Sequence, residues 1–392
     1  MLLVLCFIFW LIFNPKTFKA PQYGLIIIFM VIMAISVAAN GWLGGSINVI
    51  NDFYPTVILF FIMASTIDTP QKMRCVFLLL IIASAITALH GVDQTVNGIG
   101  WTGTPLIKGR IQYLGIFQDP NDLGILFLIS LPMLIYCLTT LHRILVKLVL
   151  LGMFGLILYG IYLTNSRGTV LGLVAMLLVG LYRKYSVWKA CFLCLLLSPL
   201  CLLAPSRMNE LQTTETSALG RWDAWYSGFQ MLKSNPMLGV GKGNFTEYHE
   251  LTAHNSFILV LSETGLVGYF VWFSFVALSL YMLYNITVQI TKNDEKDNPD
   301  IEREHNEIRN IGNTIFASLI GFIFASFFLS RSYNVILYIM CALSVSLYQI
   351  AIDFYPNLKK IYFFNNMIPL GSLTIISIIV IYLITKIFIV VL

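Results

Sequence analysis

The stretch ETSALGRWDAWYSGFQMLKSNPMLGVGKGNFTEYHELTAHNSFILVLSETGLVG, residues 215–268, is where an otherwise apolar chain turns polar, aromatic and glycine-rich. On both sides of it the sequence is a succession of hydrophobic runs, most of them near the ~20 residues needed to cross the hydrocarbon core of a bilayer. The 392 residues are 58% hydrophobic and 11% charged, with a mean hydropathy of +0.82. Soluble domains carry about 25% charged residues, so most of this chain must face lipid or other helices. The short alternating segments of a membrane β-barrel are absent. The expected fold is therefore all-α, a polytopic transmembrane helical bundle of about twelve spans with one larger loop carrying short helices.

The apolar runs fall at 1–13, 22–39, 53–67, 74–90, 123–141, 148–164, 168–181, 188–204, 257–286, 311–329, 333–350 and 367–392. They divide the chain into an N-terminal bundle (1–204), a loop (205–256) and a C-terminal bundle (257–392). Lysine and arginine concentrate in one set of alternate loops, which holds Lys16, Lys19, Lys72, Arg74, Arg143, Lys147, Arg183, Lys184, Lys189, Lys359 and Lys360 among others. By the positive-inside rule that set is cytoplasmic, and the 205–256 loop faces outward, to the periplasm or exterior of a bacterium. The net charge of +5 is explained by topology and gives no reason to expect nucleic acid as a partner. The first run lacks a basic leader and a small-residue cleavage site, so no cleavable signal peptide is expected.

All seven cysteines lie within or at the ends of apolar runs, which argues against a disulfide framework. Cys191 and Cys194 have CxxC spacing, but a second pair of ligands is missing and the two are expected to pack as small hydrophobes. The cytoplasmic stretch TKNDEKDNPDIEREHNEIRN (291–310) does not fit a calcium loop and reads as a solvated linker.

An outward cation stands against the topogenic bias, which gives each one functional weight. In GRIQYLGIFQDPNDLG (109–124), Asp119 and Pro120 read as the cap and first residue of a helix. Arg110, just before them, either binds an anion or pairs with an aspartate. In TNSRGT (164–169), Arg167 sits in a tight outer turn beside Gly168, which opens a helix whose free N–H groups favour an anion. Arg331 in LSRSYN (329–334) is a weaker version of the same case.

Within the loop, Trp222, Trp225, Tyr226, Phe229 and Leu232 share one face of a helix over 216–233, capped by Thr216 or Ser217. That stripe is expected to lie in the membrane interface, with stacking of a sugar ring on Trp222 as the alternative. Arg221 and Asp223 would sit in the first turn and are candidates to pair. Gly239, Gly241 and Gly243 resemble a nucleotide loop only superficially. No strand precedes them and no GK[ST] follows, so they read as a tight turn bringing backbone close to something. His254 with Asn255 and Ser256 ends the loop and is a candidate general base. Glu263, inside an apolar run, is expected to orient His254 or bind substrate.

Taken in order, SRG, R-x-x-x-W, NPxxGxGxxxF, HNxxL and ExGxxG resemble the O-antigen ligase and polymerase superfamily, most strongly over 164–269. The resemblance implies a GT-C-like membrane glycosyltransferase of the bacterial inner membrane, with its active site facing the periplasm. The donor is a glycan on undecaprenyl pyrophosphate. The acceptor hydroxyl belongs to lipid A-core in a ligase and to another repeat unit in a polymerase of O-antigen, capsule or exopolysaccharide. Arg167 and Arg221 match arginines that bind the donor pyrophosphate, and His254 matches a histidine that activates the acceptor. Arg110, Glu263, Asn255 and Trp222 complete the expected substrate site. The family's reaction inverts the anomeric centre without a metal or other cofactor. A lipid-linked glycan flippase would instead show buried mid-span charges and internal repeats. A scaffold gives no reason for the outward Arg167, Arg221 and His254.

Overall fold

The computed structural model describes residues 2–13, 18–184, 189, 211–292, 299–355, 358 and 360–391. The span expected at 188–204, the Cys191/Cys194 pair and the start of the loop at 205–210 lie outside the described residues, apart from Lys189. The helices are α1 (Leu2–Phe13), α2 (Gln22–Ala39), α3 (Leu43–Thr66), α4 (Pro70–Asn97), α5 (Pro120–Thr140), α6 (Ile144–Thr164), α7 (Arg167–Lys184), α8 (Leu211–Ser234), α9 (Phe245–Tyr248), α10 (Ser256–Lys292), α11 (Pro299–Ser326), α12 (Val335–Phe354) and α13 (Met367–Val391). Among the described residues the only β pairing is two isolated bridges, Ile99 with Pro105 and Ile107 with Arg110. The all-α polytopic expectation holds. Among the described residues nine helices are long and apolar enough to cross a membrane, and Val4–Phe13 and Arg167–Tyr182 are shorter apolar helices.

Two compact units account for the contacts. The first comprises Met1–Asp68, Glu210–Gln289 and Ser326–Leu392; the second comprises Thr69–Asn209 and Ile290–Ala325.

In the first unit, α2 packs along α3, and α12 packs on α3. α12 is the most enclosed of these, with Leu337, Cys341, Val345 and Leu347 fully buried. Polar side chains tie the helices where water is excluded: Gln22 Nε2 donates to Ser279 Oγ at 3.3 Å, and Ser346 Oγ donates to the Met63 carbonyl at 3.1 Å. Such bonds hold helices together when lipid removes the hydrophobic drive for association.

In the second unit, α4, α5 and α6 pack on one another. A side chain at Gly172 of α7 would lie 2.7 Å from the Gly321 carbonyl oxygen of α11, so these two helices meet backbone to backbone. Ser318 Oγ donates to the Ile129 carbonyl at 2.7 Å, joining α11 to α5.

The polar stretch expected as a solvated linker is corrected in its second half. From Pro299 onward it is helical and continuous with the tenth span. Proline suits the first helical turn, and Ile308, Ile311 and Ile315 recur at helical spacing and are fully buried. The apolar face therefore carries the helix through its charges, and Glu307 meets Arg74 at 3.4 Å. Residues 293–298 lie outside the described residues. Cys137 and Cys341 are buried free thiols, while Cys6 and Cys75 are exposed free thiols.

Candidate functional site

The first unit is organised by a break in α10. At Gly265 the backbone adopts φ 65°, ψ −166°, a region open essentially to glycine alone. In an unbroken helix the N–H groups of Leu266 and Val267 would bond to the carbonyls of Ser262 and Glu263. Here they donate instead to the Pro236 and Met237 carbonyls, at 2.9 and 3.3 Å. The carbonyls left behind are taken up in turn, Ser262 by the Val240 N–H at 2.9 Å and Glu263 by the Gly241 N–H at 3.0 Å. Each of these four backbone groups finds a partner in the 236–241 segment that leads into the glycine run. The two chains cross so closely that a Cβ on Gly239 would lie 2.4 Å from the Glu263 carbonyl carbon, and one on Gly265 would lie 2.4 Å from that of Met237. The glycine run is thus the tight turn the sequence suggests, and α10 is what its backbone approaches.

The loop is also gripped from α2. Asn40 Nδ2 donates to the Gly239 carbonyl at 2.9 Å, and the Lys242 N–H donates to Ser36 Oγ at 3.2 Å. Glu263, 3% exposed, accepts from the Tyr333 hydroxyl at 2.8 Å. The backbone N–H groups of Gly243 and Phe245 and the Lys242 ammonium also act on its carboxylate. Lys242 Nζ lies 5.5 Å from the centre of the Tyr333 ring. Burial, with the Glu263 carboxylate alongside, pushes the Tyr333 phenol well above its ordinary range and keeps it a donor. Glu263 therefore joins three segments, which is a positioning task.

The HNS segment is strapped to the turn between α11 and α12. Ser256 Oγ donates to the Leu329 carbonyl at 2.6 Å and accepts from the Arg331 N–H at 2.7 Å. Ser332 Oγ donates to the Ser256 carbonyl at 3.1 Å, and the Thr252 and Ser330 hydroxyls meet at 2.9 Å. Between these anchors His254 is partly buried and held at φ +45°, a left-handed conformation uncommon outside glycine. Asn255 caps α10: its Oδ1 accepts from the N–H groups of Phe257 and Ile258 at 2.9 and 3.1 Å.

The loop helix departs from expectation in three ways. α8 begins at Leu211, so Thr216 and Ser217 lie within it and do not cap it, and Arg221 and Asp223 are in its middle. Asp223 Oδ2 lies 3.1 Å from His249 Nε2, a pairing the sequence reading did not anticipate. The aromatic stripe is core packing as well as surface. Trp225 is buried and meets Phe327 edge-on at 5.5 Å, and Phe229 meets Tyr382 of α13 at 5.3 Å. The physical reason is the presence of α13 and the 327–333 turn, which offer these rings an apolar partner other than lipid. Trp222, partly buried, packs on the same cluster as Ala253, the residue before His254. Arg221 and His254 therefore flank one packed cluster.

In the second unit, Asp119 caps α5 as expected, its Oδ1 accepting from the Asn121 N–H at 2.8 Å, and Pro120 opens the helix. Arg110 donates through Nε to the Thr164 carbonyl at 2.7 Å and through Nη2 to Asn121 Oδ1 at 2.9 Å. Ser166 Oγ donates to the same Asn121 oxygen at 2.8 Å. Arg110 thus ties the end of α6 to the start of α5. The turn it braces carries Arg167, which is exposed and is itself the first residue of α7. Ser166, rather than Gly168, is the residue at which the helix opens: its Oγ accepts from the Thr169 N–H at 3.4 Å.

Among the described residues no group of three His, Cys, Asp or Glu side chains is placed to hold a metal ion. Sequence reading missed Tyr333 and the His249–Asp223 pair. A tyrosine two residues after an outward arginine was the available signal for the first. No curated protein matches the chain. The family model described as O-antigen ligase matches residues 152–273, which include Arg167, Arg221, His254, Asn255 and Glu263. Over those residues the chain is similar to the O-antigen ligase family, which supports the O-antigen ligase/polymerase superfamily of membrane glycosyltransferase-like enzymes.

Proposed function

We propose that the protein transfers a glycan from undecaprenyl pyrophosphate to an acceptor hydroxyl on the periplasmic side of the inner membrane, as an O-antigen ligase with lipid A-core as acceptor. The observation that carries this reading is the family match over 152–273, which includes both candidate arginines and the candidate base. The acceptor oxygen attacks the anomeric carbon, the bond from that carbon to the phosphate oxygen breaks, and the electron pair leaves with the pyrophosphate. Attack opposite the leaving group inverts the centre. His254 takes the acceptor proton. Arg221 stabilises the charge that develops on the departing pyrophosphate, a task the resemblance also assigns to Arg167, and the step requires no metal ion. In this reading Arg110 supports the turn that carries Arg167, and Trp222 offers its ring face to a sugar.

The test is a transfer assay with purified protein and undecaprenyl-pyrophosphate glycan, offering lipid A-core or a second repeat unit. Transfer to lipid A-core supports the ligase reading, and elongation of the glycan would replace it with a polymerase. His254→Gln and Arg221→Ala are each expected to lower the rate by about 10²–10⁴-fold with the fold intact. Transfer to neither acceptor, with both variants behaving as wild type in cells, would sink the enzyme reading.

A further inference from the structure

A cavity of about 410 Å³ lies within the second unit, where the start of α4, the end of α5 and the start of α11 meet. Arg74, Tyr136, His142, Glu302, Arg303 and Glu307 give it its polar lining. None of them belongs to the matched segment 152–273. Arg110 and Asn121, which brace the turn carrying Arg167, engage the opposite end of α5. At 21 residues that helix is about 30 Å long, the thickness of the hydrocarbon core. The cavity therefore lies at the other membrane surface from that turn, at the end that lysine and arginine mark as cytoplasmic.

Its charges balance, two arginines against two glutamates. Only one pair is joined: Arg74 Nε lies 3.4 Å from Glu307 Oε1. That oxygen is buried yet accepts no hydrogen bond, and the buried Tyr136 hydroxyl beside it finds none of good geometry. Buried polar atoms left in this state are costly and rare. Glu302 and Arg303 are exposed and form no ion pair among the described residues. A basic pocket between membrane helices suits an anionic headgroup. A balanced one gives an anion no net attraction and suits a group that carries both signs. Leu79 of α4 and Ile135 of α5, close in sequence to Arg74 and Tyr136, are exposed apolar side chains that offer acyl chains a surface.

We propose that this cavity binds the headgroup of an aminophospholipid, a lipid with one phosphate and one primary ammonium, from the cytoplasmic leaflet. Arg303 and Arg74 take the phosphate, with His142 and the Tyr136 hydroxyl as further donors. Glu302 and the unused Glu307 oxygen take the ammonium. A lipid seated here bridges α4, α5 and α11. The site is independent of the function proposed above and stands or falls without it.

The test titrates detergent-purified full-length protein with phosphatidylethanolamine, phosphatidylglycerol and phosphatidylcholine, counting bound lipid by native mass spectrometry. Phosphatidylethanolamine is expected to bind at least about threefold tighter than either of the others. Phosphatidylglycerol lacks the ammonium, and phosphatidylcholine covers its charge with methyl groups that cannot donate. Arg303→Gln is expected to weaken phosphatidylethanolamine by about two- to fivefold. Glu302→Lys is the diagnostic variant, because it is expected to turn the preference toward phosphatidylglycerol, which the loss of a merely structural contact would not do. Glycerophosphoethanolamine, the headgroup without its chains, is expected not to displace the lipid at equal concentration.

Equal affinity of the wild type for the three lipids would overturn the site. So would tighter binding of phosphatidylglycerol by the wild type, which would make the cavity an anion pocket. An unchanged preference in both Arg303→Gln and Glu302→Lys would place the lipid elsewhere on the protein. Displacement by equimolar glycerophosphoethanolamine would replace the lipid with a soluble ligand.

Discussion

Replacing Gly265 by alanine tests whether the break in α10 is held by the glycine run. The conformation at φ 65°, ψ −166° costs a residue with a Cβ about 1–3 kcal/mol. That figure takes no account of space, and there is none: the new atom would lie 2.4 Å from the Met237 carbonyl carbon and oxygen and 2.6 Å from the Leu238 nitrogen. These are backbone atoms, so relief requires the two chains to part. Parting them loses some of the four crossing hydrogen bonds, each worth about 0.5–1.5 kcal/mol net. The expected cost of Gly265→Ala is therefore about 3–6 kcal/mol, equivalent to a fall in Tm of roughly 4–7 °C for a chain of this size.

Thermal unfolding of the detergent-purified protein, followed by tryptophan fluorescence, reads it directly. Gly155→Ala is the control. It lies in α6 with nothing within 4 Å of the added methyl and is expected to be neutral or stabilising by up to about 1 kcal/mol. If Gly265→Ala unfolds with the wild-type midpoint, the crossing does not hold the kink and the reasoning fails.

Other substitutions separate positioning from chemistry. Tyr333→Phe removes the hydroxyl donor to a buried carboxylate and is expected to cost about 1–3 kcal/mol; wild-type stability would show that Glu263 does not depend on it. The same phenol gives a pH signature. Its value is raised in the folded state, so its contribution is fully present below the unfolded value near 10 and is lost as pH rises toward the folded one. Tyr333→Phe should flatten that alkaline fall. Arg110→Ala should lower the melting temperature, because it frees the Thr164 carbonyl and Asn121, while pyrophosphate affinity measured by calorimetry stays within about twofold; a large loss of affinity with unchanged melting would reverse that assignment. Trp225→Ala is expected to cost about 3–5 kcal/mol as a core deletion, and a negligible effect in thermal unfolding would return the aromatic stripe to the membrane interface.

Much of the fold was legible because apolar run length is set by bilayer thickness, a constraint that acts on sequence directly. Helix starts were legible where a cap announces them, as Asp119-Pro120 does. They were misjudged where a charged surface hides an apolar stripe, as from Pro299 through Ile308 and Ile311. The glycine run was recognisable as a turn from composition, but its partner was not, since nothing local in GVGKG specifies a break at Gly265. The candidate site was half visible. Arg167, Arg221 and His254 stood out as polar groups at an apolar boundary. Tyr333 matters through the Glu263 carboxylate it touches, and residue type alone does not reveal that. Arg110 stayed open between anion binding and pairing because a guanidinium has the same chemistry whether it binds a phosphate or a helix-ending carbonyl.

The hold that α2 has on the loop bears on how this protein can be re-engineered. Asn40 and Ser36 grip the glycine run, and Tyr333 braces it through Glu263, yet all three lie outside the matched residues 152–273. The segment recognisable by sequence is not a transplantable module. A chimera that swaps it for the corresponding segment of a relative inherits mismatched contacts at both ends. Exchanges that carry the end of α2 and the turn before α12 along with it are the ones that should yield folded hybrids.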